Sequence, residues 1–310
     1  MEKITFSGLF SEAFKRHTTA DAEDYFILGA PTTTPDISKT PPELPHPWLF
    51  SRVLLMSILA FFGFYIGAFY FNNPNFLPGL IIFGAFLAPI SLLIFFWEIN
   101  ILRNISVYKL IKLLFKGGIV ALLYTVILYT VTGGNTSPLM IGFVEETAKV
   151  LALLLLVDHK NYRYILNGLL LGAAIGTGFA AFESAGYILV SALKYGMPTM
   201  INTIFWRAIF APGNHIAWAG LVGAALIEVK GDRPFRLSML LDLRFLLMYV
   251  LVIMLHALWD ARFSQLQIYY VPIVPVVLTV LSWIILFAMM KRGFKQAFEI
   301  APQDTNGPIV

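Results

Sequence analysis

Long apolar runs separated by short polar breaks dominate the chain, and they set the meaning of every other residue. The runs near 50–71, 77–97, 117–133, 138–157, 165–190, 200–227, 244–261 and 271–290 are each long enough to cross a hydrocarbon core of roughly 30 Å. They predict an all-α polytopic membrane protein with about eight transmembrane helices. The breaks carry the basic residues. With both termini in the cytoplasm, 18 of the 22 lysines and arginines fall inside, Lys194, Arg207 and Arg262 fall outside, and Lys149 lies within a span. Composition excludes a soluble domain, with 58% hydrophobic residues, 13% charged residues and a mean hydropathy of +0.76 over 310 residues.

The pattern divides the chain into a cytoplasmic tail at 1–48, a membrane core at 49–292 and a cytoplasmic C-terminal tail at 293–310. The first tail has no apolar core of signal-peptide type, so the first span is the expected insertion signal. Phe6, Leu9, Phe10 and Phe14 recur there at helical spacing, suited either to the membrane surface or to packing on the protein's own cytoplasmic face. A proline-rich linker follows at 31–47. Lys109, Lys112 and Lys116 give a basic interfacial helix whose lysines meet anionic lipid headgroups. The absence of cysteine removes disulfides, thiolate nucleophiles and cysteine-based metal sites. No nucleic-acid or nucleotide motif is visible.

Against this background, charges inside the apolar runs stand out. Glu145, Glu146 and Lys149 share one run, and Glu183, His215, His256 and Asp260 lie in three others. Ionisable groups are costly in hydrocarbon, so each marks a candidate functional position. Counted from the cytoplasmic helix ends at 1.5 Å per residue, Glu145, Glu146 and His256 lie about 17 Å up, His215 about 20 Å, Asp260 about 22 Å and Glu183 about 25 Å. One shared cavity, open toward the extracytoplasmic side, is the expectation.

Helical geometry places Glu145 and Lys149 at i,i+4 on one face, with Glu146 about 100° away. One glutamate is expected to pair with the lysine and the other to be free, an arrangement suited to acid and base roles or to a salt bridge locking two helices. Gly168, Gly172 and Gly176 form a small-residue ridge for close helix packing. Phe179 and Glu183 follow at i,i+4, where the carboxylate serves the cavity or caps a neighbouring helix. Ala211-Pro212-Gly213-Asn214 predicts a broken helix. His215, just past it, is suited to binding metal, stabilising an oxyanion, relaying protons or bridging helices. His256 and Asp260, again at i,i+4, let the carboxylate orient the imidazole or both face one ligand.

The ordered set Glu145-Glu146-x-x-Lys149, Phe179-x-x-x-Glu183, His215 and His256-x-x-x-Asp260 resembles the successive motifs of PrsW-type intramembrane proteases, with Trp97-Glu98-Ile-Asn100 also similar. The likeness covers roughly 50–290. The related CAAX-protease and bacteriocin-processing superfamily carries Arg one residue later in the first motif and His ending the second, so Lys149 and Glu183 favour the PrsW branch. The resemblance implies hydrolysis of a peptide bond in a single-span membrane protein such as an anti-sigma factor, in a bacterial inner membrane. All seven polar residues would be catalytic, one glutamate activating water and the histidines stabilising the oxyanion or protonating the leaving amine. The family is also described as metalloprotease, and Glu146, Glu183, His215 and His256 are candidate ligands for zinc or another dication. No HExxH string is present, so metal and glutamate mechanisms both stand. Two other classes fit buried Glu, Lys and His: an ion- or proton-coupled transporter, and a non-catalytic receptor or scaffold.

Overall fold

Apolar periodicity and proline placement set where the helices begin. The computed structural model describes residues 5–12, 15–18, 26–30, 32–36, 43–157, 162–262, 266–268 and 271–300. A one-turn helix, α1 (Phe6–Leu9), precedes α2 (Leu49–Tyr65), α3 (Leu77–Glu98) and α4 (Val107–Lys112), which passes through a wide π turn at Leu113–Gly117 into α5 (Gly118–Val131). Then come α6 (Pro138–Leu156), α7 (Ile165–Tyr195), α8 (Met197–Phe210), α9 (His215–Lys230), α10 (Leu243–Asp260) and α11 (Ile273–Ile300). Proline occupies the first turn of α3, α6 and α8, where a missing N–H costs nothing. A small antiparallel pair, β1 (Gln267–Ile268) and β2 (Val271–Pro272), joins α10 to α11.

Seven stretches among the described residues are long and apolar enough to cross a membrane. α6, expected as the fourth span, falls outside that number because Glu145, Glu146 and Lys149 lie within its 19 residues. The expected sixth span is two helices, α8 and α9, joined by a 3-10 turn at Ala211–Gly213. Pro212 lacks the N–H needed to continue the ladder, so the break predicted from Pro-Gly is where the backbone changes. Gly196, at φ 84°, reverses the chain between α7 and α8 in a region side chains rarely adopt.

α7 and α9 form the centre: 94% of the most apolar window of α7 is buried, against 11% for the stretch containing α2. The glycine ridge explains how closely they pack. A Cβ at Gly172 would lie 2.1 Å from the Ala219 carbonyl oxygen, and one at Gly176 would lie 2.5 Å from that of His215. Backbone-to-backbone contact of this kind fixes α9, and His215 at its first residue, against α7. Large apolar side chains such as Leu55, Leu123 and Leu193 remain exposed on the rim, as lipid-facing surface requires.

The Trp97–Asn100 segment makes a structural corner. Buried Glu98 accepts the N–H groups of Trp48 and Leu49 on one oxygen, both at 2.8 Å, and that of Phe50 on the other at 2.9 Å, capping α2 from a distance. Asn100, Asn104 and Asn167 close a ring of amide hydrogen bonds beside it. The N-terminal segment takes the second of its two expected courses: Leu9 is buried and Phe10 stacks on Phe95 at 5.6 Å, so it packs on the protein itself. Phe14 and much of the expected linker lie outside the described residues, as does 301–310. α11 runs through the expected boundary at 292/293 without interruption.

Candidate active site

α6 supplies three charged groups to a nearly dry interior. The Lys149 ammonium donates to Glu146 Oε1 at 2.6 Å, with the two side chains 2% and 1% exposed. The sequence left open which glutamate pairs with the lysine, and it is Glu146 at i,i+3 rather than Glu145 at i,i+4, since either spacing lies within a lysine's reach and neighbouring helices decide. Lys149 also donates to His215 Nδ1 at 2.8 Å and sits 4.2 Å above the Phe179 ring. One cation thus ties α6 to α7 and α9. An ammonium only donates, so His215 Nδ1 accepts, and its Nε2–H is left to donate to Glu183 Oε2 at 3.1 Å.

His256, on α10, is held the same way. Its Nδ1 lies 2.7 Å from Glu146 Oε1, leaving Nε2 facing Glu145 Oε2 at 3.6 Å and Asp260 Oδ2 at 3.4 Å. The two imidazoles approach to 5.0 Å, and Trp218 packs 5.0 Å from His256. Each histidine therefore has one glutamate orienting it, Glu146 for His256 and Glu183 for His215.

Glu183 has a second partner that the sequence reading left among the extracytoplasmic basic residues. Arg207, on α8, donates to Glu183 Oε2 at 2.6 Å and to Ser184 Oγ at 2.7 Å, and stacks over Tyr187 at 4.5 Å. The signal was available only as an isolated arginine eight residues before His215. Tyr129 and Tyr187 lie close enough to interact electrostatically with Glu145, Glu183 and Asp260. Exposure rises from 1% at the Glu146 side chain through 16% at Glu183 to 28% at Asp260, so the site has a dry floor and a wetter mouth.

Glu145 differs from all of these. Its Oε2 is buried with no hydrogen-bond partner among the described residues, an arrangement rarely left uncompensated. One ligand atom each from Glu145, His215 and His256 lies within 4.8 Å of the others. Of the metal ligands expected from sequence, His215 and His256 are in this group, whereas Glu146 and Glu183 stand behind them. Adjacent residues on a helix differ by about 100°, and spacing alone did not say which glutamate faces inward.

The donor set suits a divalent cation. By formal charge, four carboxylates (Glu145, Glu146, Glu183 and Asp260) face one ammonium, Lys149, and one guanidinium, Arg207, leaving two negative charges for a dication or two protons to offset. Glu145 Oε2 and His256 Nε2 are ready donors, while His215 must release one existing partner to join them. A cavity of about 740 Å³ between α2, α3 and α8 is apolar and is lined by none of these residues.

No curated protein and no solved structure matches the chain. A family model described as PrsW family intramembrane metalloprotease matches residues 79–290, a span that holds all seven polar residues and the helices that carry them. The chain accordingly belongs to the PrsW family of intramembrane metalloproteases.

Proposed function

We propose that this multi-pass membrane protease cuts a single-span membrane protein with a water molecule activated by Glu145. The orphaned Glu145 Oε2 carries that choice. Glu146 Oε1 already serves Lys149 and His256, whereas Glu145 Oε2 accepts no hydrogen bond from the described residues, so of this pair Glu145 is the one placed to take a water without giving up a partner. Water held there would lose its proton to Glu145 while attacking the scissile carbonyl carbon. His256, on the opposite side of the gap, would donate the proton at Nε2 to the leaving amine while Asp260 steadies the ring, and Glu145, holding the proton taken from water, would return it to His256 Nε2 and so restore both groups. Lys149 and Glu183 fix the His215 ring, and Lys149 adds positive charge near the developing oxyanion. A dication, if bound by Glu145, His215 and His256, would polarise the carbonyl and make its water more acidic.

The substrate proposed is a membrane-anchored regulator of the anti-sigma-factor kind, in a bacterial inner membrane. α6 completes a set of eight spans with both termini cytoplasmic, a 49–292 core and flanking tails. Cleavage of candidate single-span proteins in reconstituted liposomes tests the proposal, with wild type compared with His256→Ala, and each with and without a chelator. Cleavage by wild type alone supports it, and chelator sensitivity restored by zinc supports the metal set. Failure of wild type to cut any such protein from the matching membrane would favour a transporter or receptor.

A further inference from the structure

At the other end of the bundle lies a cationic cavity unrelated to this chemistry. Its volume is about 220 Å³, and it is lined by Lys109, Lys112 and Lys116 above an apolar floor that includes Leu113, Val157 and Leu171. Val157 is 11 residues beyond Glu146, about 17 Å along the helix axis. Among the described residues, no carboxylate lines it. Lys112 and Lys116 make no hydrogen bond or ion pair with other described residues, so like charges three and four residues apart are left facing one another.

The walls are organised rather than incidental. Tyr162 is 3% exposed, and its hydroxyl accepts from Lys109, whose ammonium also lies 4.9 Å from the ring centroid. The Tyr162 carbonyl is held in turn by Lys230, itself 2% exposed, at 2.8 Å. The π turn at Leu113–Gly117 sits within this wall, and Gly118 just after it packs on the Gly178 backbone, where a Cβ would come within 2.6 Å. Such turns often mark functional positions.

We propose that this cavity binds the phosphate headgroup of an anionic glycerophospholipid, clamping α4 to the end of α6. The lysines meet the phosphate, and the apolar floor receives the start of an acyl chain, a pairing of chemistries that inorganic phosphate alone would leave half used. The site goes beyond general attraction of basic residues to a membrane, because three lysines from successive turns converge on one interhelical gap.

The test uses the purified full chain in nanodiscs of phosphatidylcholine, with or without phosphatidylglycerol, reading the thermal midpoint and the lipid retained in native mass spectrometry. Phosphatidylglycerol is expected to raise the wild-type midpoint, and Lys112→Gln/Lys116→Gln to lose at least half of that rise and of the retained lipid. The charge-matched Lys291→Gln/Lys295→Gln variant should keep both. Equal loss in the two double variants would overturn the site in favour of diffuse attraction. An equal rise from inorganic phosphate in phosphatidylcholine discs would overturn the lipid as ligand. Destabilisation of Lys112→Gln/Lys116→Gln in phosphatidylcholine alone would show that the lysines already serve a partner within the chain, and would overturn the site.

Discussion

Replacing Lys149 with methionine tests how the polar floor is held. The substitution keeps the length of the side chain and removes bonds of 2.6 Å to Glu146 and 2.8 Å to His215, together with the contact to the Phe179 ring. Glu146, 1% exposed, is left without its cation. Breaking a buried pair from one side costs about 3–5 kcal/mol. His256 Nδ1 still reaches Glu146 at 2.7 Å, which places the expected loss near the lower end, about 3 kcal/mol. Equilibrium unfolding in bicelles reads this value. The double variant Lys149→Met/Glu146→Gln removes both charges, and should recover about 1–2 kcal/mol relative to the sum of the single losses. A loss below about 1 kcal/mol for Lys149→Met, or strict additivity in the double variant, would refute a buried Lys149–Glu146 pair.

The other expectations concern helix contacts and orientation. Gly176→Ala puts a methyl group against the His215 carbonyl and should cost about 1–3 kcal/mol while lowering activity, whereas Gly186→Ala, with nothing within 4 Å, should do neither in the same unfolding and cleavage assays. Arg207→Gln loosens Glu183 and through it His215; kcat is expected to fall about 10–100-fold with KM little changed, and Arg207→Lys to recover part of it. Glu98→Gln removes one acceptor from the cap of α2 and should cost about 1–3 kcal/mol in unfolding without changing the activity of the folded fraction.

Much of this architecture is legible in sequence because hydrocarbon is an unforgiving solvent. Apolar runs had to be helices, a Pro-Gly pair had to open one of them, and charges at similar depth had to meet. What sequence could not supply was rotation. Glu145 and Glu146 differ by one residue, and only the packing of α6 against α10 and α9 turns Glu146 into the floor and leaves Glu145 facing the gap. Arg207 and Lys230 were counted as loop charges by the same logic that oriented the chain. Yet Arg207 reaches Glu183, and Lys230 is 2% exposed with its ammonium on the Tyr162 carbonyl. A long side chain near a helix end can turn inward to a partner from a distant segment, and spacing along one helix does not reveal such a partner. The docking of Phe10 on Phe95 was likewise one of two courses open to an aromatic periodicity.

The most direct test of the central claim compares the single-turnover cleavage rate and unfolding stability of Glu145→Gln with those of Glu146→Gln. Because Glu145 Oε2 accepts no hydrogen bond from the described residues, Glu145→Gln is expected to lose about 10²–10⁴-fold in rate while remaining as stable as wild type. Glu146→Gln should lose both rate and stability, since it weakens bonds to Lys149 and His256. Cleavage by Glu145→Gln at the wild-type rate would contradict Glu145 as the base.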